Sequence, residues 1–292
     1  MLFGVLIAGV LAAVSLVVDL SLLVVIGVAL IAYGVIMWFA SGRLVASLAG
    51  ARPITRDQHP GLWQAVEAAA VGAGLPRTPD VYIIEDSAPN AFAAGRDPKH
   101  AYVAATTGLL ALMGPRELRA VMAHEMAHVR NRDVRLMSLA AVLAGALLIL
   151  SDILVRVFVF GGARDSSTNP LALIGAIVAL ILAPIGAAMI QMALSRRREF
   201  LADAGAAEIT GDAEGMARAL AVLEADTRQI HHVARATAHL YIESPLVKGR
   251  GLFGSLGGLF QTHPSMPARI AALEQAAGFT LDRSFLDEVA VQ

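Results

Sequence analysis

Four stretches of this chain, Leu2 to Val18, Leu22 to Ala40, Leu136 to Phe160 and Leu171 to Leu194, are apolar over lengths that an ordinary soluble core does not need. A bilayer's hydrocarbon layer takes about 20 apolar residues to cross as a helix, and inside it the backbone must satisfy its own hydrogen bonds. Two helical hairpins are therefore expected. Composition agrees: 57% of residues are hydrophobic and 16% charged, against about 45–50% apolar in soluble domains. A cleaved signal peptide competes for the first stretch, but its start lacks Lys or Arg and its apolar length runs past an h-region of about 7–15 residues.

Arginines set the orientation. Arg43, Arg52 and Arg56 follow the second stretch, Arg130, Arg132 and Arg135 precede the third, and Arg196, Arg197 and Arg198 follow the fourth. The connection Gly161 to Pro170 carries only Arg164 and Asp165 as charges. By the positive-inside rule both polar segments face the cytoplasm. Within the spans, Asp152 and Arg156 are spaced for an i,i+4 ion pair, and Pro184 predicts a kink. The resulting division is 1–40 and 136–194 as membrane hairpins, with 41–135 and 195–292 as two parts of one polar lobe. Only Lys99 and Lys248 are lysines among the 23 basic residues, which hints at a GC-rich bacterial genome and a bacterial inner (plasma) membrane.

Within 41–135 the pattern predicts a helix over His59 to Ala73 and strands at Asp80 to Glu85 and Ala101 to Thr106. Between the strands, Ala88 to Gly95 reads as an extended segment that either pairs with a substrate backbone or forms a plain hairpin.

Chemistry is written at fixed helical spacing in Ala123-His124-Glu125-Met126-Ala127-His128. His124 and His128, four residues apart, project from one helical face and can reach one tetrahedral ion. Glu125 then suits a general base acting on the attacking water. Gly114-Pro115 predicts the helix start and Asn131 its end. The motif alone also arises by chance on amphipathic helices.

A third ligand is needed that leaves one position open. With zero cysteines, histidines and carboxylates must carry any metal. Arg198-Glu199-Phe200-Leu201-Ala202-Asp203 offers Glu199, with Asp203 on the same face placed to accept a hydrogen bond from a liganding histidine. Glu208 competes for the ligand role.

Together, H-E-M-A-H at 124–128, R-R-R-E-F-L-A-D at 196–203, P-N-A-F-A-A-G at 89–95 and four spans in this order resemble the HtpX-type integral-membrane zinc metallopeptidases, relatives of the CAAX prenyl endopeptidases. The resemblance implies a mainly α membrane protein with four transmembrane helices and a cytoplasmic α+β gluzincin-like metalloprotease domain with a small sheet. It implies one zinc ion on His124, His128 and Glu199, with Glu125 as base and Asp203 behind the ligands. It also makes Asn90 and Val103 candidate substrate contacts. The stretch Thr262 to Ile270 is similar to the family's H-P-x-x-x-x-R-I element, which nominates His263 and Arg269 as catalytic residues steadying the oxyanion. The bland reading of that stretch is a proline-started helix with a surface arginine.

The expected partners are protein or peptide substrates, membrane proteins among them, and the lipid bilayer. Near-neutral charge without a basic block excludes a nucleic-acid partner, and oligomeric state is not legible. The implied role is quality control of damaged or misfolded membrane proteins. A narrow-specificity processing peptidase and a non-cleaving zinc-stabilised scaffold are the alternatives, and the intact Glu125 argues against the scaffold. His231, His232 and His239 lack a completing carboxylate and carry little weight as a second metal set. The glycine-rich run Val247 to Phe260 reads as a flap, a membrane-dipping segment or a linker.

Overall fold

The computed structural model of the chain describes residues 24–25, 27–29, 31–36, 39, 46–47, 49–135, 197–226 and 264–289. The chain divides into two compact units, Met1–Ala40 with Leu139–Gln191, and Ser41–Ser138 with Met192–Gln292. Three of the four expected spans, at 2–18, 136–160 and 171–194, lie outside the described residues, as do Asp152, Arg156, Pro184, the histidines at 231, 232 and 239, the 247–260 run and His263. The described residues between 24 and 39 are helical, and Val24, Val28, Ile31, Ile36 and Phe39 are exposed. Among the described residues no helix is long and apolar enough to cross a membrane.

In the second unit, β1 (Arg52–Pro53) is followed by α1 (Pro60–Gly72), β2 (Asp80–Ile84), β3 (Ala91–Gly95) and β4 (Ala101–Thr106). Next come α2 (Thr107–Leu112) and α3 (Pro115–Arg130). Residues 197–210 form α4, then α5 (Ala213–Ala225), α6 (Met266–Ala277) and α7 (Phe285–Val289) complete the unit.

The helices begin where local chemistry satisfies their free N–H groups. Thr106 caps α2 by accepting from Leu109 N–H, Asp212 caps α5 by accepting from Gly215 N–H, and α1, α3 and α6 carry proline in their first positions. A missing N–H costs nothing there.

The sheet runs β1-β2-β4-β3. β2 pairs in parallel with β4, Val81 opposite Val103, while β3 returns antiparallel to β4, Ala93 opposite Val103. Ala88 to Gly95 therefore forms a hairpin with the following strand. Gly95 sits at its turn with φ of 143°, where a Cβ would lie 2.4 Å from the His100 carbonyl oxygen, so only glycine fits.

α3 is the centre of the unit. It packs on α1, α5 and β3, and every residue from Ala120 to Val129 is buried. Val121, Met122, Met126 and Val129 belong to one apolar core with Leu62, Val66, Met216 and Leu220. The polar residues of the H-E-x-x-H motif are thus enclosed, and burial of such groups is tolerated only when each is paired or bound.

Candidate active site

His124, Glu125 and His128 lie in the buried third and fourth turns of α3, and Glu199 and Asp203 lie one turn apart on α4. Packing of the two helices brings the ligand atoms together. His124 Nε2 and His128 Nε2 are 3.1 Å apart, Glu199 Oε1 is 3.5 Å from His128 Nε2, and Glu199 Oε2 is 3.6 Å from His124 Nε2. These three groups form the metal-competent cluster among the described residues.

The donor set fits zinc. With zinc bonds of about 2.0–2.1 Å, the edge of a ligand tetrahedron is about 3.3–3.4 Å. The two histidine nitrogens stand close to that separation at 3.1 Å, each faces one oxygen of Glu199, and two imidazoles with one carboxylate leave a fourth position for water or substrate.

Each histidine is oriented from behind. His124 Nδ1 faces Asp203 Oδ1 at 3.0 Å, and His128 Nδ1 faces Asp133 Oδ2 at 3.0 Å. Donating Nδ1–H to a carboxylate leaves the Nε2 lone pair for the ion. Each carboxylate is in turn held by an arginine. Arg269 binds Asp203 in a fork, Nε to Oδ2 at 2.8 Å and Nη2 to Oδ1 at 2.6 Å, and Arg198 pairs with the other oxygen of Asp133.

The electrostatics suit a cation. Burial works against an imidazolium at His128, but the Glu199 and Glu125 carboxylates prevail and raise its proton affinity. A field that favours a proton there favours a metal ion in the same place. Burial raises the Glu125 pKa, only partly offset by the two histidines and by the Ala93 N–H, which donates to its carboxylate from β3. Burial would also raise Asp203, but the Arg269 guanidinium and His124 hold it below the usual carboxylate range.

The structure thus gathers His124, Glu125, His128, Glu199, Asp203 and Arg269. Arg269 differs from its expected role. It is fully buried, with its fork on Asp203 and Nη1 3.2 Å from Glu199 Oε2, so it holds carboxylates instead of presenting donors to a cleft. Nor is it a surface arginine. Val103 is 1% exposed, in the apolar core on an interior strand, which corrects its expected place on a cleft wall. Asn90 is buried at the start of β3, its N–H donating to Thr106 Oγ1 and its Oδ1 accepting from Ala91 N–H. Glu208 points to solvent and pairs with Arg130 at 2.9 Å, which removes it as a competitor for the ligand role.

Asp133 and Arg198 were not legible as site residues. The signal for Asp133 is the Asn131-Arg132-Asp133 sequence after α3: Asn131 caps the helix and Arg132 adopts φ of 60°, turning the chain so that Asp133 lies beside His128.

Comparison with known proteins bears on this arrangement. The sequence profile of Peptidase family M48 matches residues 56–277. A "Protease HtpX homolog" of Tropheryma whipplei (strain Twist) is 43% identical over 243 residues, covering 83% of this chain and 81% of that protein. The homolog of that name from Limosilactobacillus fermentum is 46% identical over 250 residues, covering 83% and 82%. The one from Ralstonia pickettii is 43% identical over 262 residues, covering 88% and 86%. The crystal structure of S. mikatae Ste24p resembles the fold with a TM-score of 0.55 at 19% identity. That likeness covers 93% of this chain, which spans 62% of the Ste24p chain.

Proposed function

Because this chain belongs to peptidase family M48 and is a metalloprotease, we propose that His124, His128 and Glu199 hold one zinc ion and that Glu125 is the general base of an endopeptidase. The observation that carries this reading is the convergence of two imidazole nitrogens and one carboxylate oxygen within 4.8 Å of one another, beside a second buried carboxylate that is not part of the set. When bound, zinc supplies a Lewis acid that polarises a carbonyl and makes water acidic enough to attack near neutral pH.

The residues of the chain supply the rest. Glu125, with its proton affinity raised by burial, takes the proton of the attacking water and passes it to the leaving amine. No covalent intermediate on the protein is required. Asp203 and Asp133 keep both imidazoles turned toward the ion, and Arg269 and Arg198 keep the aspartates in place. β3 is an edge strand beside Glu125, and an extended substrate backbone pairs along its outer edge.

The substrates are protein chains, damaged or misfolded membrane proteins among them. The enzyme is a multi-pass protein of a bacterial inner membrane with four spans and its catalytic lobe in the cytoplasm. Support comes from the exposed valines, isoleucines and phenylalanine of residues 24–39, which suit lipid contact, and from arginines flanking each apolar hairpin on one side.

The test is degradation of casein by the detergent-purified full chain, wild type beside Glu125→Gln, with the metal content of each measured. Cleavage by wild type that a chelator stops, with about one zinc and a loss of at least about 100-fold in the variant, is expected. Zinc in both proteins with equal cleavage would remove Glu125 as base. Absence of zinc from both would remove the ligand set.

A further inference from the structure

We propose that the pocket between the C-terminal end of α3 and the first turns of α4 binds the phosphate of an anionic phospholipid headgroup. The pocket has a volume of about 610 Å³ and is lined by Arg130, Arg197, Arg198 and Leu201, with Asp133 and Glu208 as its acidic members. That volume lies within the range of about 300–1,000 Å³ usual for ligand sites.

Its charges are not equivalent. Asp133 is buried and engaged by Arg198 and His128, so its charge is neutralised within the protein. Glu208 has a side chain 71% exposed and only meets Arg130 at the rim, a pairing that water screens. Arg197 is exposed and makes no ion pair among the described residues. An exposed guanidinium with a second loosely held beside it is a phosphate-binding arrangement, since a phosphodiester accepts forked N–H donors as a carboxylate does.

A second, independent feature points to lipid as the phosphate's source. Phe200 and Leu201 are exposed at 38% and 56%, and Leu201 lines the pocket itself. Apolar side chains laid next to arginines suit a molecule with a charged head and an apolar body, whereas a free anion has no use for them. In the sequence these residues follow directly on the apolar stretch ending at Leu194, and Arg130 shortly precedes the one starting at Leu136. Basic sites beside the cytoplasmic ends of spans are where anionic headgroups concentrate. The inference rests on the membrane reading above for the supply of lipid.

The test uses the full chain in detergent, titrated separately with short-chain phosphatidylglycerol, short-chain phosphatidylcholine and inorganic phosphate, with bound molecules counted by native mass spectrometry and the unfolding temperature recorded. Expected is retention of phosphatidylglycerol at about 10-fold lower concentration than phosphatidylcholine, because both carry the phosphodiester but the choline cation of the latter is repelled by the two arginines. The variant Arg130→Gln/Arg197→Gln should lose that preference, and Arg130→Lys/Arg197→Lys should keep most of it. Should the glutamine variant fail to fold, Leu201→Ser serves instead and should weaken phosphatidylglycerol binding while sparing inorganic phosphate. Equal binding of both lipids, an unchanged preference in the glutamine variant, or phosphate binding as tight as phosphatidylglycerol would each overturn the proposal. Partition of the expressed chain between membrane and soluble fractions tests the membrane reading separately.

Discussion

Asp133 holds His128 through Nδ1 at 3.0 Å, on the ring edge opposite the Nε2 that faces Glu199 at 3.5 Å. The contact depends on Arg132 taking a left-handed backbone conformation that is unfavourable by about 1–2 kcal/mol for a side chain of its size. Asp133→Ala should therefore weaken zinc retention by about 10–100-fold, measured by competition with a chromogenic chelator. Asp133→Asn, which keeps an acceptor, should fall between. Unchanged retention in the alanine variant would mean that His128 is oriented by packing alone.

Arg269 is the buried cation behind His124 and Glu199, and its removal would take the guanidinium fork from Asp203 and leave that buried carboxylate with only His124 beside it. Breaking such a pair costs about 3–5 kcal/mol. Arg269→Ala should lower the unfolding temperature strongly. Arg269→Lys should recover little, because a single ammonium cannot reproduce the fork on Asp203. A fully stable lysine variant would show that charge, and not the fork, is what the site needs.

What was legible in the sequence, and what was not, divides along physical lines. His124 with His128, and Glu199 with Asp203, were readable because helical spacing alone puts each pair on one face. The helix at 60–72 and the strands at 80–84 and 101–106 followed from periodicity and from their proline and glycine boundaries. The parallel pairing of β2 with β4, and hence the burial of Val103, depends on long-range register that no local pattern encodes. Arg269 appeared as an exposed or cleft-facing group because its partners lie on α4, far away in the chain. Asp133 was missed for the opposite reason. Its contact is local, but it turns on the φ of one arginine.

The helices that carry the proposed ligands, α3 and α4, approach closely at one glycine. A Cβ on Gly205 would lie 2.8 Å from Ala127 Cβ and 3.2 Å from Arg130, closer than side chains pack. Gly205→Ala should push α4 away from α3, and with it Glu199 from both histidines. Overpacking of this kind costs about 1–3 kcal/mol, so a lower unfolding temperature and weaker zinc retention should appear together. Adding Ala127→Gly removes the clash and should restore much of both. A stable Gly205→Ala variant that binds zinc normally would mean that the helix contact is not what sets the ligand spacing.

Asp212 joins α5 to α3 at the surface and gives a prediction in pH. Its carboxylate accepts from Gly215 N–H at 2.8 Å as the cap of α5 and takes Arg116 of α3 in a fork at 2.7 and 2.8 Å. The Arg116 guanidinium beside it, aided by the cap N–H and only partly opposed by burial, holds its pKa below the ordinary aspartate value. A lowered pKa means that the folded state binds this proton less readily than the unfolded chain. The contribution is therefore complete above the ordinary value and is lost as pH falls through the lower, folded one. The pair is half in water, so most of the gain comes from the cap: Asp212→Ala should cost about 0.5–2 kcal/mol. Asp212→Asn keeps an acceptor for Gly215 and should cost less than about 1 kcal/mol. Unfolding temperatures of the three proteins at neutral pH and in acid decide the matter. The gap between wild type and Asp212→Asn should close on acidification while the alanine variant stays below both, and a gap that widens in acid would remove the Arg116 contact as its source.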